Sequence, residues 1–139
     1  LSAGIKLPES GLVFISVNNE DKFKIISIAR AFKELGFNIV ATEGTAKELI
    51  KNGMSAETVY KVGEGRPNIV DRIKNNEIDL VINTPLGAQS RYDEEAIGKA
   101  CIQKSIMAIT TLSAADAVLY AIRTKNKIKV KSMQEYHSS

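Results

Sequence analysis

Short runs of β-branched and apolar residues alternate with amphipathic stretches along the whole chain. That alternation limits the possible folds more than any other feature. The run IDLVIN (78–83) carries apolar side chains on both faces, as a strand buried inside a parallel sheet requires. GLVFISV (11–17) and FNIVAT (37–42) read as strands, AETVYKV (56–62) as a weaker one, and IMAIT (106–110) as another.

Between them lie the helical patterns. EDKFKIISIARAFKELG (20–36) places Phe23, Ile26, Ala29 and Phe32 at three-residue spacing, with Gly36 as a stop. TAKELIKNG (45–53) is a short helix. NIVDRIKNNE (68–77) turns Ile69, Val70 and Ile73 inward and follows a loop, GEGRP, whose proline suits a first helical turn. TPLGAQSR is a loop, YDEEAIGKACIQKS (92–105) a helix, and SAADAVLYAIRT (113–124) a helix that Ser113 is placed to cap. KIKVKSM (127–133) is expected as an edge strand protected by its lysines, and the last residues, QEYHSS, as a loose tail. The order β-α-β-α-β-α-β-α-β-α predicts an α/β fold of three layers: a mostly parallel five-stranded sheet with helices on both faces.

At 139 residues with 44% hydrophobic and 25% charged content, the chain suits one domain with a real core. A net charge of +3, with acids interleaved among the bases, points to solvated helix faces rather than a nucleic-acid surface. No apolar run approaches membrane-spanning length. The single cysteine, Cys101, shares a helical face with Ala96, Ile97 and Ala100 and reads as a small core residue. No metal site and no disulfide are expected, and a reducing cytoplasm fits. The first residues, LSAGIKLPESG, lack the shape of a signal peptide and read as a linker over 1–10, ahead of a domain over 11–134 and a tail over 135–139.

In parallel sheets ligands bind beyond the carboxyl ends of the strands. Those ends carry Ser16, Asn18, Asn19 and Lys22, then Thr42, Gly44 and Thr45, then Lys61, Val62, Gly65 and Arg66, then Asn83 and Thr84, and finally Thr110 and Thr111. Hydroxyls, amides and cations dominate this rim. Thr42-Glu43-Gly44-Thr45 is the sharpest piece, because it joins a strand to a helix start. There, unpaired N–H groups and a partial positive charge can receive a phosphate. The threonine hydroxyls can donate, Gly44 permits a tight turn and close approach, and Lys22 and Lys61 add charge. Taken locally, the same threonines read somewhat better as helix caps. Their setting at an inner strand end, among Lys22, Lys61 and Asn83, favours the anion. Catalytic groupings are thin: His137 sits in the tail, Asp71 reads as salt-linked inside its helix, and Asp93 and Glu94 suit a helix start.

Four segments carry a family resemblance: SVNNEDK, GFNIVATEGTA, KVGEGRPNIVDRIKNNEIDLVINTP and the closing SMQEYH. Over about residues 10–137 the chain resembles the C-terminal regulatory domain of the large subunit of bacterial carbamoyl phosphate synthetase, of the methylglyoxal-synthase-like fold. The resemblance implies a non-catalytic domain that binds a nucleotide monophosphate, UMP as inhibitor and in some members IMP as activator. It belongs to an ATP-dependent ligase of arginine and pyrimidine biosynthesis. It implies effector-phosphate contacts at Lys22, Thr42, Gly44, Thr45 and Lys61, and base or ribose contacts at Ser16, Val62, Ile69, Asn83, Thr84 and Ile97. Thr110 matches a position associated with ornithine in enteric members, although Ala108 and Ile109 before it depart from their pattern. The implied partners are the preceding domains of the large subunit and the small glutaminase subunit. The domain itself needs no cofactor, while the whole enzyme uses ATP, magnesium or manganese, and potassium. Pro85 stands where familiar members have a threonine, and Ala88-Gln89 where they have a basic pair. Both changes weaken the case for an unaltered effector preference.

Two other readings share the fold. A methylglyoxal synthase cleaving dihydroxyacetone phosphate would place its Gly-Asp-Gln-Gln-like segment near GEGRPNI, which has no aspartate there, and its histidine is missing. The cyclohydrolase domain of purine biosynthesis shares T-x-G-T-A but not the EGRP and INTP segments.

Overall fold

The computed structural model describes residues 7–85 and 91–138. Five strands form one sheet: β1 (Gly11–Ser16), β2 (Phe37–Ala41), β3 (Glu57–Thr58), β4 (Leu80–Asn83) and β5 (Met107–Ile109), in the order β3-β2-β1-β4-β5. Every adjacent pair is parallel, so all five carboxyl ends lie along one edge. The helices are α1 (Lys22–Glu34), α2 (Glu43–Lys51), α3 (Ile69–Lys74), α4 (Arg91–Lys104) and α5 (Leu112–Ser138).

Successive strand residues point to opposite faces, and this divides the core in two. Val13, Ile15, Ile39, Leu80 and Ile82 pack on one face under α1, α2 and α5. Phe14, Val40 and Val81 pack on the other under Ile69 and Ile73 of α3 and Ile97, Ala100 and Cys101 of α4. The expected three-layer parallel fold is therefore what forms. Burying side chains of this size stabilises by about 1.5–3 kcal/mol each.

Several local expectations are corrected. The core face of α1 is Ile25, Ile28, Ala29 and Phe32, whereas Phe23 is 85% exposed. Three-residue steps turn a helix by about 300°, so three of them carry Phe23 to the side opposite Phe32. β3 is only two residues long, and Lys61 and Val62 lie in the turn beyond it. Pro67 precedes α3 instead of opening it, since Asn68 is the cap. Thr111, not Ser113, caps α5: its Oγ1 accepts the Ala114 N–H at 3.1 Å.

The stretch 127–133 is not an edge strand but part of α5, which continues through Ser138 across the expected loose tail. Neither glycine nor proline interrupts residues 112–138. Lys125 and Lys129, one helical turn apart, both reach Glu9, at 3.1 and 3.9 Å. Four residues span about 6 Å along a helix but about 13 Å along a strand, so both lysines can reach one carboxylate because the segment is helical. Linker residues 1–6 and the departures at Ala88 and Gln89 lie outside the described residues. The side chain of His137 does too.

Gly11 anchors the start of the central strand. Its φ is +119°, and a Cβ there would fall 2.0 Å from Asp79 Oδ2. That oxygen accepts the Leu12 N–H at 2.8 Å. Gly11→Ala is expected to cost about 1–3 kcal/mol in urea unfolding, and removing the Asp79 side chain as well should recover part of that. A loss indistinguishable from zero would show that the contact is not a constraint.

Candidate functional site

The parallel register decides which residues meet at the carboxyl edge. Ser16 lies opposite Asn83, and Ile15 opposite Ala41, so Thr42 emerges beside Ser16. The Thr42 hydroxyl donates to Ser16 Oγ at 3.0 Å, and both side chains are buried. Thr42 is the N-cap residue of α2 by backbone position, yet its side chain makes no capping hydrogen bond. The ambiguity of the T-x-G-T segment is thus resolved locally: this side chain turns to the neighbouring strand, and its oxygen accepts no α2 N–H. Thr45 Oγ1 accepts the Val17 N–H at 3.3 Å, which leaves its own proton available to a further acceptor. Gly44 is not a turn residue. It lies inside the first turn of α2 in helical conformation.

Lys22 reaches this helix start from α1. Its Nζ donates to Asn19 Oδ1 at 2.7 Å and lies 3.1 Å from where a Gly44 Cβ would be. Asn18 steadies the segment that carries it. Its Oδ1 accepts the Asp21 N–H at 2.8 Å, its own N–H donates to Thr84 Oγ1 at 3.0 Å, and its Nδ2 donates to the Pro85 carbonyl at 3.1 Å. Thr84 is buried and serves this anchoring, and Pro85 supplies an acceptor although it lacks a hydroxyl and an N–H.

Beside the helix start runs a narrow cleft with a cavity volume of about 20 Å³. Its lining includes the expected Ser16, Thr42, Lys61, Val62, Ile69, Asn83 and Ile97. Phe14, Asp93 and Glu94 complete it. Lys22, Gly44 and Thr45 gather at the adjoining start of α2, while Thr110 is exposed at the end of edge strand β5, away from the cleft. The acids were read from the sequence only as helix-start residues, and the rim as nearly free of negative charge. Their spacing held the missed signal, because Asp93 and Glu94 precede Ile97 by four and three residues and so share its helix face. Burial pushes the Asp93 carboxyl above the usual range, nearby Glu64 and Glu94 push the same way, and Lys61 opposes them.

Two other expectations hold. Asp71 is structural: it exchanges hydrogen bonds with Asn68 in a capping box and pairs with Arg66. The Asn68 backbone N–H, then Arg66, hold its carboxyl below the usual range. Cys101 is buried among α4 core residues, and burial pushes its thiol up to about 11.

A family model for the MGS-like domain matches residues 24–110, which is most of this architecture. The chain belongs to the MGS-like domain family. Over 140 residues it is 51% identical to the carbamoyl phosphate synthase large chain of Acidobacterium capsulatum, covering 99% of this chain and 13% of that one. It is 48% identical over 145 residues to the C-terminal section of the Aquifex aeolicus large chain, covering 99% of this chain and 27% of that one. This MGS-like domain therefore spans only about an eighth to a quarter of the curated relatives it matches. Among solved structures, methylglyoxal synthase from Elizabethkingia anophelis is similar with a TM-score of 0.64 at 18% identity, over 81% of this chain and 79% of that one. At that identity the likeness is one of fold.

The buried, protonated Cys101 gives this subsection its test. The folded domain should react with Ellman's reagent at pH 8 at least about a hundredfold more slowly than the urea-unfolded chain, because the thiolate is the nucleophile and the fold suppresses it. Equal rates would show that Cys101 is accessible.

Proposed function

We propose that this domain is the nucleotide-sensing regulatory C-terminal domain of a carbamoyl phosphate synthase large chain. UMP is the inhibiting effector and IMP an activating one. The polarity of the cleft carries this reading. At one end stand Lys22 and a helix start without a side-chain cap, and Lys61 lines the cleft within electrostatic reach of Asp93. The apolar walls are Phe14, Val62, Ile69 and Ile97. The far side brings the carboxylates of Asp93 and Glu94. A nucleoside monophosphate has matching parts: a dianionic phosphate, a flat base for apolar walls, and ribose hydroxyls and base N–H groups that donate to carboxylates. The 51% and 48% identities to large chains support the assignment to that enzyme.

Regulation then requires that the nucleotide bind two states of the whole enzyme with different affinity, typically by 1–3 kcal/mol on the usual scale of about 5–150-fold. The preceding domains and the glutaminase subunit are the partners this implies, in a cytoplasmic ligase that uses ATP. Ornithine regulation through Thr110 would act from outside the cleft.

A lyase reading has one observation in its favour. Asp93 is a carboxyl with a raised proton affinity beside Lys61, and proton removal next to a carbonyl needs such a base. A triose phosphate, however, leaves the apolar walls unused.

Calorimetry on this chain separates the readings. UMP should bind, Lys61→Ala should weaken UMP and inorganic phosphate alike by about tenfold or more, and Ile97→Asp should weaken UMP while sparing phosphate. No heat with either UMP or IMP at millimolar concentration would contradict the proposal. Release of methylglyoxal from dihydroxyacetone phosphate would establish the lyase instead.

A further inference from the structure

The geometry points to Gly44 as the seat of the Lys22 ammonium: a positioning residue that lets a side-chain cation and a helix N-terminus converge on one anion. This rests on the reading of the helix start as the effector's phosphate site, and it explains a glycine that the backbone does not require.

Gly44 is the second residue of α2 and has a helical conformation, whereas Gly11, Gly36, Gly53 and Gly63 have positive φ. Neither a turn nor left-handed backbone asks for glycine at position 44, and in a helix it is less favourable than alanine. What a side chain would meet is Lys22: a Cβ at 44 would lie 3.1 Å from Nζ and 3.7 Å from Cε. The ammonium is held there by Asn19 Oδ1 at 2.7 Å, from a turn that Asn18 caps. The missing side chain is therefore the space through which Lys22 reaches the first turn of α2.

The arrangement opposes ordinary helix electrostatics. The start of a helix carries partial positive charge and favours anions, so an ammonium brought against it is repelled. Here the helix start also has no side-chain cap: the Thr42 hydroxyl is turned toward Ser16, and its oxygen accepts from none of the α2 N–H groups. Two positive features facing one another are stabilised when an anion lies between them and accepts from both. A phosphate monoester has the charge and the acceptor oxygens to do so. Gly44 thus trades stability of the empty domain for affinity.

The test measures binding of inorganic phosphate and of UMP, together with ligand-free melting temperature, for wild type, Gly44→Ala, Gly44→Leu, Lys22→Ala and the Gly44→Ala/Lys22→Ala double variant. An alanine methyl displaces only the end of a flexible side chain, so Gly44→Ala should weaken both ligands by about threefold. Gly44→Leu should weaken them by about tenfold, as Lys22→Ala does by removing one charge-assisted contact. In the Lys22→Ala background, Gly44→Ala should cost no further affinity. Without ligand, Lys22→Ala and Gly44→Ala should each raise the melting temperature. If wild type binds and Lys22→Ala weakens binding while Gly44→Leu does not, the inference fails and the effector reading stands. If Gly44→Ala still costs affinity in the Lys22→Ala background, the glycine serves ligand approach instead, and the inference again fails. If wild type binds neither phosphate nor UMP, the effector reading fails and this inference with it.

Discussion

The parallel pairing of β1 with β2 on one side and β4 on the other is the constraint on which the site depends. It brings Ser16, Thr42 and Asn83 to one line at the carboxyl edge. From that alignment follows the Thr42 to Ser16 hydrogen bond, which turns the Thr42 side chain toward β1, and the start of α2 has no side-chain cap. A hydroxyl that capped α2 would have completed the helix and blocked the anion position. Here the same residue type stabilises the strand ends and leaves the helix open.

The cleft built on this edge has opposite charge at its two sides. Lys22 and the helix start lie toward α1 and α2, and the carboxylates of Asp93 and Glu94 come from α4 on the opposite face of the sheet, where Lys61 offsets part of their charge. Because strand residues alternate between faces, one strand end touches both layers, and a ligand at this edge would lie between α2 on one face and α4 on the other. A bound nucleotide would therefore tie α2 to α4 across the sheet edge. That gives a regulatory domain a physical means of changing its own rigidity, and so its fit to neighbouring domains.

Much of this was legible in the sequence. The alternation of apolar runs with amphipathic stretches is imposed by layer packing, and IDLVIN could only be a strand covered on both faces. Strand ends then pointed to the edge where the cleft lies without any side-chain detail. Features that depend on distances between elements were not legible. What a side chain at Gly44 would meet is Lys22, twenty-two residues away. Asp93 joins the cleft lining only once α4 packs beside the strand ends, and Glu9 meets Lys125 and Lys129 from the other end of the chain. Phe23 shows a different failure. Three-residue spacing looks like one helical face over two residues and drifts off it over four, so the buried set began instead at Ile25.

Backbone amide NMR of this chain titrated with UMP and, separately, with uridine tests the central claim most directly. If the start of α2 is the phosphate seat, the Gly44 and Thr45 amide protons should move strongly downfield with UMP, as they come to donate to phosphate oxygens, and hardly at all with uridine. If both ligands shift these amides equally, or if UMP shifts only amides remote from the strand ends, the account of this edge as a phosphate-receiving site is wrong.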